Sequence, residues 1–407
     1  MKYKLVCKKC GETIGSFKEW FANDQKCQCG SNYAEIIYPE ADYSRLPESF
    51  EDDVHSHFHY FDYLPLENKE NVISFNEGAI PMERWEHMER EAKEKYGIDC
   101  KVYMYRNDLN GGTHSFKDVS GSLAASVMKE HGVKEYCLAS TGNAGTAYAT
   151  YLAKAGIKFT CFSPKWVDEN TKKSILETRQ TLVVSQGSYG DAKNEAAEYH
   201  KSHGVMMSCG NIDPIRVESK RTIVFECMRQ LGQLPTVYMQ AVAGGTAPIA
   251  LEKGFRDVRN DFPELRMPRM ILVQQDECDP MVTAWEWAKE HNWPVGFENR
   301  YEAKKDCHTR IGILTAANPG NYPIVAPLVR QSGGDFVRVE EASLPQFGKQ
   351  MQRETGVLMG PASMVCYAGF YKALEQGLIK QNDIILLNAG EGTDRAQWFV
   401  DEVNKIQ

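Results

Sequence analysis

Short apolar runs alternate along the chain with longer stretches in which apolar residues recur every three or four positions. The short runs predict strands, and the longer spacing predicts helices between them. The predicted strands cover residues 101–106, 134–139, 158–163, 181–185, 205–208, 236–241, 269–274, 335–339 and 383–387. The predicted helices include residues 120–131, 145–155, 190–203, 216–231 and 248–258. This alternation predicts an α/β fold with mainly parallel sheets that are covered on both faces.

A lysine lies in a glycine-containing segment shortly after the first of these strands. It is Lys117, in the run Gly-Gly-Thr-His-Ser-Phe-Lys-Asp of residues 111–118. A lysine amine forms an imine with an aldehyde when burial or a neighbouring charge lowers its pKa, and Phe116 supplies an apolar neighbour. Taken alone the run is weak evidence, because most lysines are solvated surface charges.

Two further segments follow the lysine, each at the carboxyl end of a predicted strand. Asn143 lies in Ser-Thr-Gly-Asn-Ala-Gly (140–145), and Ala-Val-Ala-Gly-Gly-Thr-Ala (241–247) opens a predicted helix. Glycine-rich turns that open a helix present free backbone N–H groups to an anion. Either segment alone also fits an ordinary tight strand-to-helix connection. Together, and in this order at the carboxyl ends of strands, the three segments predict a pyridoxal phosphate site.

Composition narrows the class of protein further. The chain has 407 residues and a formal net charge of -8, with a pI near 5.8. This length fits two or more domains, and the acidic balance disfavours nucleic acid as a partner. No apolar run reaches membrane-spanning length, and the first residues lack the apolar core of a secretory signal. Twelve cysteines without a compact disulfide spacing fit a reducing compartment, so we expect a cytoplasmic protein with no membrane partner.

Four of the cysteines form two close pairs near the N-terminus, Cys7 with Cys10 and Cys27 with Cys29. The first pair has the spacing of a zinc knuckle, whereas the second pair is one residue shorter. A zinc ribbon and a degenerate ribbon that packs on the enzyme without metal are both open. We expect a small ribbon-like segment over residues 1–38.

Three histidines alternate in the segment that follows, at His55, His57 and His59. On a strand they would share one face and could bind a metal. The more common alternative is a polar surface beside an aromatic-rich linker that lies on the core.

Six segments, in order, carry a resemblance to a known family. They are 76–82 (Asn-Glu-Gly-Ala-Ile-Pro-Met), 113–118 (Thr-His-Ser-Phe-Lys-Asp), 140–143 (Ser-Thr-Gly-Asn), 213–222 (Asp-Pro-Ile-Arg-Val-Glu-Ser-Lys-Arg-Thr), 241–255, and 361–363 (Pro-Ala-Ser) with 389–392 (Ala-Gly-Glu-Gly). In these segments the chain resembles threonine synthases, members of the fold-type II (tryptophan-synthase β-like) pyridoxal-phosphate enzymes. The resemblance implies two doubly wound, mainly parallel-sheet domains. They are a large cofactor-binding domain of residues 39–125 with 236–407 and a small domain of residues 126–235.

The resemblance implies roles around the cofactor. Lys117 carries the cofactor and transfers protons, Phe116 lies beside it, and Asn143 orients the ring. Ala389 replaces the hydroxyl residue that contacts the pyridine nitrogen in the family, so Asn388 or Thr393 is expected to take its place. The cofactor phosphate is expected on the backbone of Ala243, Gly244, Gly245, Thr246 and Ala247.

It also implies roles around an amino-acid substrate. Ser140 and Thr141 are expected to bind the substrate carboxylate, and Arg216 a leaving group or second anion. Asp213 lies where the family contacts the leaving group. His114, beside the lysine segment, is a candidate proton relay, although a lone histidine is more often simply packed.

The departures from the family concern the substrate phosphate. In threonine synthases that phosphate is held by polar groups at five positions, of which only Ser140 and Arg216 are kept. Ala144 replaces a threonine, Gly244 replaces an asparagine, and Asp213 replaces another asparagine by a carboxylate. At about 4 Å and an effective dielectric constant near 20, the carboxylate repels a phosphate by roughly 4 kcal/mol. We therefore expect a substrate other than O-phosphohomoserine.

The predicted chemistry is elimination, or elimination followed by replacement, at Cβ or Cγ of an amino acid. Threonine synthase itself, a cysteate- or cysteine-synthase-like replacement enzyme, and a threonine dehydratase or ammonia-lyase all remain open. Outside this class, the chain could be a silent cofactor-binding subunit or a zinc-ribbon binding protein. The fold resemblance implies a homodimer.

Overall fold

The computed structural model describes residues 1–50, 54–304 and 307–407. Within these ranges the strands are β1 Lys4–Cys7, β2 Thr13–Gly15, β3 Ala34–Ile37, β4 Met82–Arg84, β5 Lys101–Tyr105, β6 Glu135–Ala139, β7 Lys158–Ser163, β8 Thr181–Val184, β9 Met206–Met207, β10 Val237–Ala241, β11 Arg269–Gln275, β12 Asp335–Val339 and β13 Ile384–Asn388. The α-helices are α1 Phe17–Ala22, α2 Glu86–Tyr96, α3 Asp118–Glu130, α4 Asn143–Ala155, α5 Glu169–Glu177, α6 Tyr189–His203, α7 Pro214–Leu231, α8 Thr246–Val258, α9 Pro280–Glu290, α10 Tyr322–Gln331, α11 Leu344–Thr355, α12 Pro361–Glu375 and α13 Gln397–Lys405.

The larger sheet contains the strands that end at two of the predicted cofactor segments. Its order is β12-β11-β10-β13-β5-β4, and all neighbours are parallel except β4 and β5. Most residues of β11 and β13 are buried, which explains why these strands appear in the sequence as continuous apolar runs. Because β10, β13 and β5 are adjacent, the loops that follow them meet at one edge of the sheet.

The smaller sheet is parallel throughout, in the order β8-β7-β6-β9. The loop after β6 leads into α4, and the segment after β9 leads into α7. Helix α3 packs on both α4 and α7, and α7 also packs on α8. The first turns of these helices therefore surround a common region.

Helix α7 is buried along most of its length although it carries several charged residues. Glu218 pairs with Arg221 at 2.8 Å and with Lys253 of α8 at 3.0 Å. Asp257 of α8 pairs with the same two cations at 2.9 and 2.7 Å, and Tyr38 donates to Glu218 at 2.9 Å. Buried charges are tolerated only when they are paired, so this ionic cluster fixes α7 against α8.

The first 38 residues form a separate antiparallel sheet in the order β2-β1-β3. Phe17 and Trp20 of α1 are buried in a core shared with α3 and α4. At the tip of this ribbon the Gln25 side chain donates to the Met207 carbonyl at 2.6 Å. The ribbon is therefore joined to the small sheet close to the segment that leads into α7.

The nine predicted strands are confirmed, and each of their ends lies within one residue of the predicted position. The prediction that the three alternating histidines lie on one strand is wrong, because residues 57–63 form tight 3-10 turns. Phe58, Tyr60 and Phe61 are all buried, which an alternating strand would not allow. His57 is buried and bonds to Ser122 Oγ at 2.8 Å, so it lies in the core and not on a polar surface.

One disulfide departs from the expectation of reduced cysteines. Cys278 and Cys307, with Cα atoms 4.9 Å apart, are joined by a disulfide. The two residues are 29 positions apart in the chain, so their proximity arises only from the fold.

Within the described ranges, no helix combines the length and the apolar character that a membrane span requires.

Candidate active site

Lys117 directly precedes α3, in a turn that is held by the carboxylate of Asp118. That carboxylate accepts hydrogen bonds from the Thr113 N–H at 3.0 Å, the Thr113 hydroxyl at 2.6 Å and the Ser115 N–H at 2.8 Å. The Phe116 N–H donates to the Gly390 carbonyl at 3.0 Å. The lysine turn is thereby fixed to the loop that follows β13.

The Lys117 amine forms no salt bridge among the described residues. Its Nζ lies 5.8 Å from the centroid of the Phe116 ring. Burial, assisted by the positive charge of Arg216, lowers the pKa of Lys117 to about 8. A larger fraction of this amine is therefore neutral and nucleophilic at neutral pH than for a solvated lysine.

Asn143 begins α4 and is held by two charged side chains. Its Nδ2 donates to Glu391 Oε2 at 2.6 Å, and its Oδ1 accepts from Arg395 Nε at 2.8 Å. Arg395 also donates to the Thr113 carbonyl at 2.8 Å, which connects this clamp to the lysine turn. Burial raises the pKa of Glu391, and the Arg395 charge opposes that shift. Among the described residues the second Nδ2 hydrogen of Asn143 has no acceptor, so it is available to a ligand.

The glycine loop after β10 opens α8, with Gly245 in the left-handed region at φ 78°. The backbone N–H groups of residues 244–247 make no hydrogen bond within the described part of the chain. Asn321 Nδ2 donates to the Gly244 carbonyl at 2.6 Å, and Thr246 Oγ1 donates to the Asn211 carbonyl at 2.8 Å. The loop is thus held from both sides while its N–H groups remain free for an anion.

The predicted substrate residues lie at the starts of α4 and α7. Ser140 Oγ accepts from the N–H groups of Gly142 at 3.1 Å and Gly145 at 2.9 Å, so this hydroxyl holds the loop itself. Thr141 beside it is half-buried. The backbone N–H groups of residues 141, 143 and 144 have no acceptor among the residues that the structure describes. The start of α4 therefore offers a second set of donors to an anion.

Arg216 and Asp213 are both buried at the start of α7. Arg216 Nε donates to the Tyr148 hydroxyl at 3.1 Å, and the guanidinium lies 5.0 Å from the centroid of that ring. Asp213 caps α7 by accepting from the Ile215 N–H at 2.9 Å. Burial raises the pKa of Asp213, and the positive charge of Arg216 opposes the shift. The capping carboxylate offsets the positive end of the α7 dipole.

Three other predicted residues have different surroundings. Asn388 is buried, where it accepts from Asn107 Nδ2 at 2.7 Å and donates to the Tyr238 hydroxyl at 2.6 Å. Thr393 is half-buried in the loop before α13. His114 is exposed and contacts Asp394 at 2.6 Å. His114 therefore lies at the surface, and its Nδ1 is bonded to Asp394.

Three site residues have contacts that the sequence reasoning did not assign, Asn211, Glu391 and Arg395, and Lys220 is a further buried residue, on α7. Glu391 falls inside the Ala-Gly-Glu-Gly segment, so its position was visible in the sequence although its contact with Asn143 was not. Lys220 lies one helical turn after Arg216, a spacing that places both on one face of α7. No sequence signal marks Asn211 or Arg395.

The sulfur atoms of Cys7, Cys10, Cys27 and Cys29 lie within 4.8 Å of one another. Two cross-pairs are in contact, Cys7 with Cys29 and Cys10 with Cys27, each at 3.6 Å. The loops at the end of the ribbon therefore bring the shorter second pair into register with the first. Four thiols in this arrangement suit a tetrahedral ion.

A family model described as pyridoxal-phosphate dependent enzyme matches residues 73–390. The chain belongs to this family. The residues present fit the cofactor, because a lysine amine without a salt bridge, a fixed asparagine amide and a loop whose N–H groups have no acceptor, all judged on the described residues, occupy the ends of neighbouring elements. The chain is therefore an enzyme that uses pyridoxal phosphate.

Relatives of this pyridoxal-phosphate enzyme include synthases of amino acids. Threonine synthase of Methanocaldococcus jannaschii is 26% identical over 95% of this chain and 91% of its own. Cysteate synthase of Methanosarcina barkeri is 25% identical over 97% of this chain and 92% of its own.

Solved structures share the fold. Threonine deaminase isoform 2 of Solanum lycopersicum superposes with a TM-score of 0.64 at 16% identity, over 85% of this chain and 93% of that one. Diaminopropionate ammonia lyase of Escherichia coli superposes with a TM-score of 0.63 at 14% identity, over 88% and 91%. The predicted fold, the resemblance to threonine synthases and the class of chemistry, elimination or replacement at Cβ or Cγ of an amino acid, are confirmed.

Proposed function

We propose that this enzyme acts on an amino acid whose leaving group is not the phosphate of O-phosphohomoserine. The observation that carries this proposal is the buried carboxylate of Asp213 at the start of α7, three residues before Arg216. The Asp213 carboxylate offsets part of the positive field that the start of α7 offers to a phosphate, so it weakens the binding of a dianionic leaving group there. Ala144 adds no hydrogen-bond donor from its side chain. The subsite therefore suits a smaller or less charged leaving group.

The cofactor, when bound, supplies an electron sink for the α-carbon of the substrate. Lys117 Nζ holds it and afterwards transfers a proton at that carbon, which the lowered pKa of the amine favours. Asn143, fixed by Glu391 and Arg395, orients the ring. The free N–H groups of residues 244–247 bind the cofactor phosphate.

The substrate carboxylate is assigned to the start of α4, on the free N–H groups of residues 141, 143 and 144 and the hydroxyl of Thr141. Ser140 acts by holding this loop in shape, because its hydroxyl is occupied by Gly142 and Gly145. Arg216 is left to bind an anionic side-chain group or an incoming anionic nucleophile. A β-replacement reaction of the cysteate-synthase kind fits this set of residues.

A second candidate is threonine synthase activity on O-phosphohomoserine. It is favoured by Asn211, whose side-chain amide lies against Gly244, the position at which the resembled family has an asparagine. In that case Asn211 replaces the missing amide and the Asp213 carboxylate faces its own helix.

The test is a substrate screen with the holoenzyme. O-phosphohomoserine, O-phosphoserine, O-acetylserine, threonine and diaminopropionate are each assayed for release of phosphate, acetate, keto acid or ammonia, with and without sulfide or sulfite. We expect turnover of a substrate other than O-phosphohomoserine. Efficient formation of threonine from O-phosphohomoserine would overturn the proposal in favour of the second candidate.

Attachment of the cofactor is tested separately from turnover. Borohydride reduction and peptide mapping are expected to place the pyridoxyl group on Lys117, and Lys117→Ala to remove the visible absorbance. Lys129→Ala is the control, because Lys129 lies at the far end of the same helix and is exposed. An adduct on any other lysine would refute the assignment of Lys117.

We also propose that the four ribbon cysteines hold one structural zinc ion, supported by the short distances between their sulfur atoms.

We propose the same domain bounds as from the sequence: 1–38, 39–125 with 236–407, and 126–235. The division of the strands into three sheets supports them. We propose further that the enzyme is a homodimer and is located in the cytoplasm. Light scattering on the purified holoenzyme tests the dimer.

A further inference from the structure

A second lysine, Lys220, is buried in the active-site region, and none of the roles proposed above involves it. Lys220 of α7 has only 3% of its surface exposed. Its amine donates to the hydroxyl of Ser120, one turn after Lys117 in α3, and to the Arg216 carbonyl at 3.2 Å. The Ser120 hydroxyl is in turn 3.1 Å from that of Ser219. Each of these partners is neutral.

No carboxylate pairs with Lys220 among the described residues. The contrast is Lys253 on the adjacent helix, which is equally buried but contacts Glu218 at 3.0 Å and Asp257 at 2.7 Å. An ammonium group that is buried without a counter-ion is costly. Burial, with repulsion from Lys117 and Arg216, lowers the pKa of Lys220 well below its usual value, and the Asp213 carboxylate, which forms no salt bridge with the amine, opposes the shift. An anion that entered the site would remove this cost.

The position of Lys220 directs it toward the site and not toward the α7–α8 cluster. Its Nζ lies 5.3 Å from the centroid of the Phe116 ring, the same ring that Lys117 Nζ approaches at 5.8 Å. Arg216 lies four residues earlier on the same helix, so the two cations share one face of α7. Neither Arg216 nor Lys220 is paired with a carboxylate within the described ranges.

On the basis of the function proposed above, we propose that Lys220 is an anion-binding residue of the active site that supplies, together with Arg216, the positive charge for an oxyanion bound beside Lys117. The oxyanion is either the phosphate of the cofactor or an anionic group on the substrate. Both sources share the same chemistry, and they are separated by the experiment.

The experiment compares wild-type protein with Lys220→Gln, Lys220→Met and Lys220→Arg. The affinities of the apoenzyme for pyridoxal phosphate and for pyridoxal, which lacks the phosphate, are measured from the visible absorbance. The affinity of the holoenzyme for inorganic sulfate is measured from its shift of that absorbance and from thermal protection. Lys253→Gln is the control for loss of a buried lysine, and Lys220→Arg keeps the charge.

If Lys220 binds the cofactor phosphate, both neutral variants lose about tenfold or more in affinity for pyridoxal phosphate but not for pyridoxal. If it binds a substrate anion, both cofactor affinities stay near wild type and the affinity for sulfate falls about tenfold or more. In either case Lys220→Arg recovers most of the lost affinity. Lys253→Gln lowers thermal stability without changing the relative affinities for pyridoxal phosphate, pyridoxal and sulfate.

The inference is overturned if Lys220→Gln and Lys220→Met keep both the wild-type preference for pyridoxal phosphate over pyridoxal and the wild-type affinity for sulfate. It is also overturned if the cofactor preference is unchanged and sulfate has no effect on the wild-type protein. If neutral variants fail to fold while Lys220→Arg folds normally, sulfate protection of the wild type against heat decides the same question, and its absence overturns the proposal. Failure of the proposed function is distinct, because it would appear in the wild type as a lack of cofactor uptake on Lys117.

Discussion

The side chain of Asn211 occupies the space that a side chain at Gly244 would need. A Cβ atom placed on Gly244 would lie 1.9 Å from Asn211 Nδ2. Gly244→Asn alone is therefore expected to displace the glycine loop and to weaken pyridoxal phosphate binding about tenfold or more. Absorbance titration of the apoenzyme measures the effect.

The paired change Asn211→Gly with Gly244→Asn is expected to recover most of that affinity, because it removes the collision. Asn211→Gly by itself is the control, with binding close to wild type. If Gly244→Asn binds the cofactor as well as the wild type does, the side chain of Asn211 is free to move and the two positions are not coupled.

The pKa of Lys117 predicts how cofactor uptake depends on pH. Only the neutral amine attacks an aldehyde, so the rate of attachment should rise with a midpoint near a pH of about 8 and not near 10.5. The unfolded chain keeps its proton up to the higher value. The free energy of unfolding of the apoenzyme, relative to Lys117→Met, should therefore increase as pH rises from about 8 to 10.5 and decrease again as pH falls through the same window.

Stopped-flow absorbance and urea unfolding over this pH range provide the two measurements. An uptake midpoint at or above pH 10 would show that Lys117 is solvated in the apoenzyme.

The bond from Arg216 to Tyr148 predicts a specific loss of stability. Tyr148→Phe leaves the buried Arg216 Nε without its acceptor and should lower the free energy of unfolding by about 1.5 to 3 kcal/mol. Tyr322→Phe is the matched control, because Tyr322 is also buried and its hydroxyl has no partner among the described residues. Removing that hydroxyl should change the free energy of unfolding by less than about 0.5 kcal/mol or increase it. Equal losses in the two variants would argue against the Arg216 bond.

A zinc ion in the ribbon predicts a metal content near one atom per chain in protein prepared without chelator. Cys7→Ser should lower this content and make residues 1–38 sensitive to protease, while the visible absorbance of the cofactor is kept. Cys100→Ser, at a half-buried free cysteine elsewhere, is the control and should retain the metal. Protein that contains no metal before any chelation supports the degenerate ribbon.

The sequence was sufficient to predict the secondary-structure elements that are buried on both faces. Strands such as β10 and β13 appear as apolar runs because parallel sheets are covered by helices, and the loops that follow them contain the cofactor segments. The strand β4 was not predicted, since three residues at a sheet edge carry no clear pattern. Lys220 and Glu391 were given no role, because a charged residue on a helix or loop normally indicates a solvated surface and only the fold reveals its burial.

The burial of Trp20 has a consequence for biosynthesis. This side chain is buried in a hydrophobic core shared with α3 and α4, which lie roughly 80 residues or more beyond the end of the ribbon. At translation rates of about 5 to 20 residues per second, the finished ribbon precedes its docking surface by about 4 to 16 seconds. During that interval its apolar face is exposed on the nascent chain, so the ribbon is a natural point of engagement for chaperones at the ribosome.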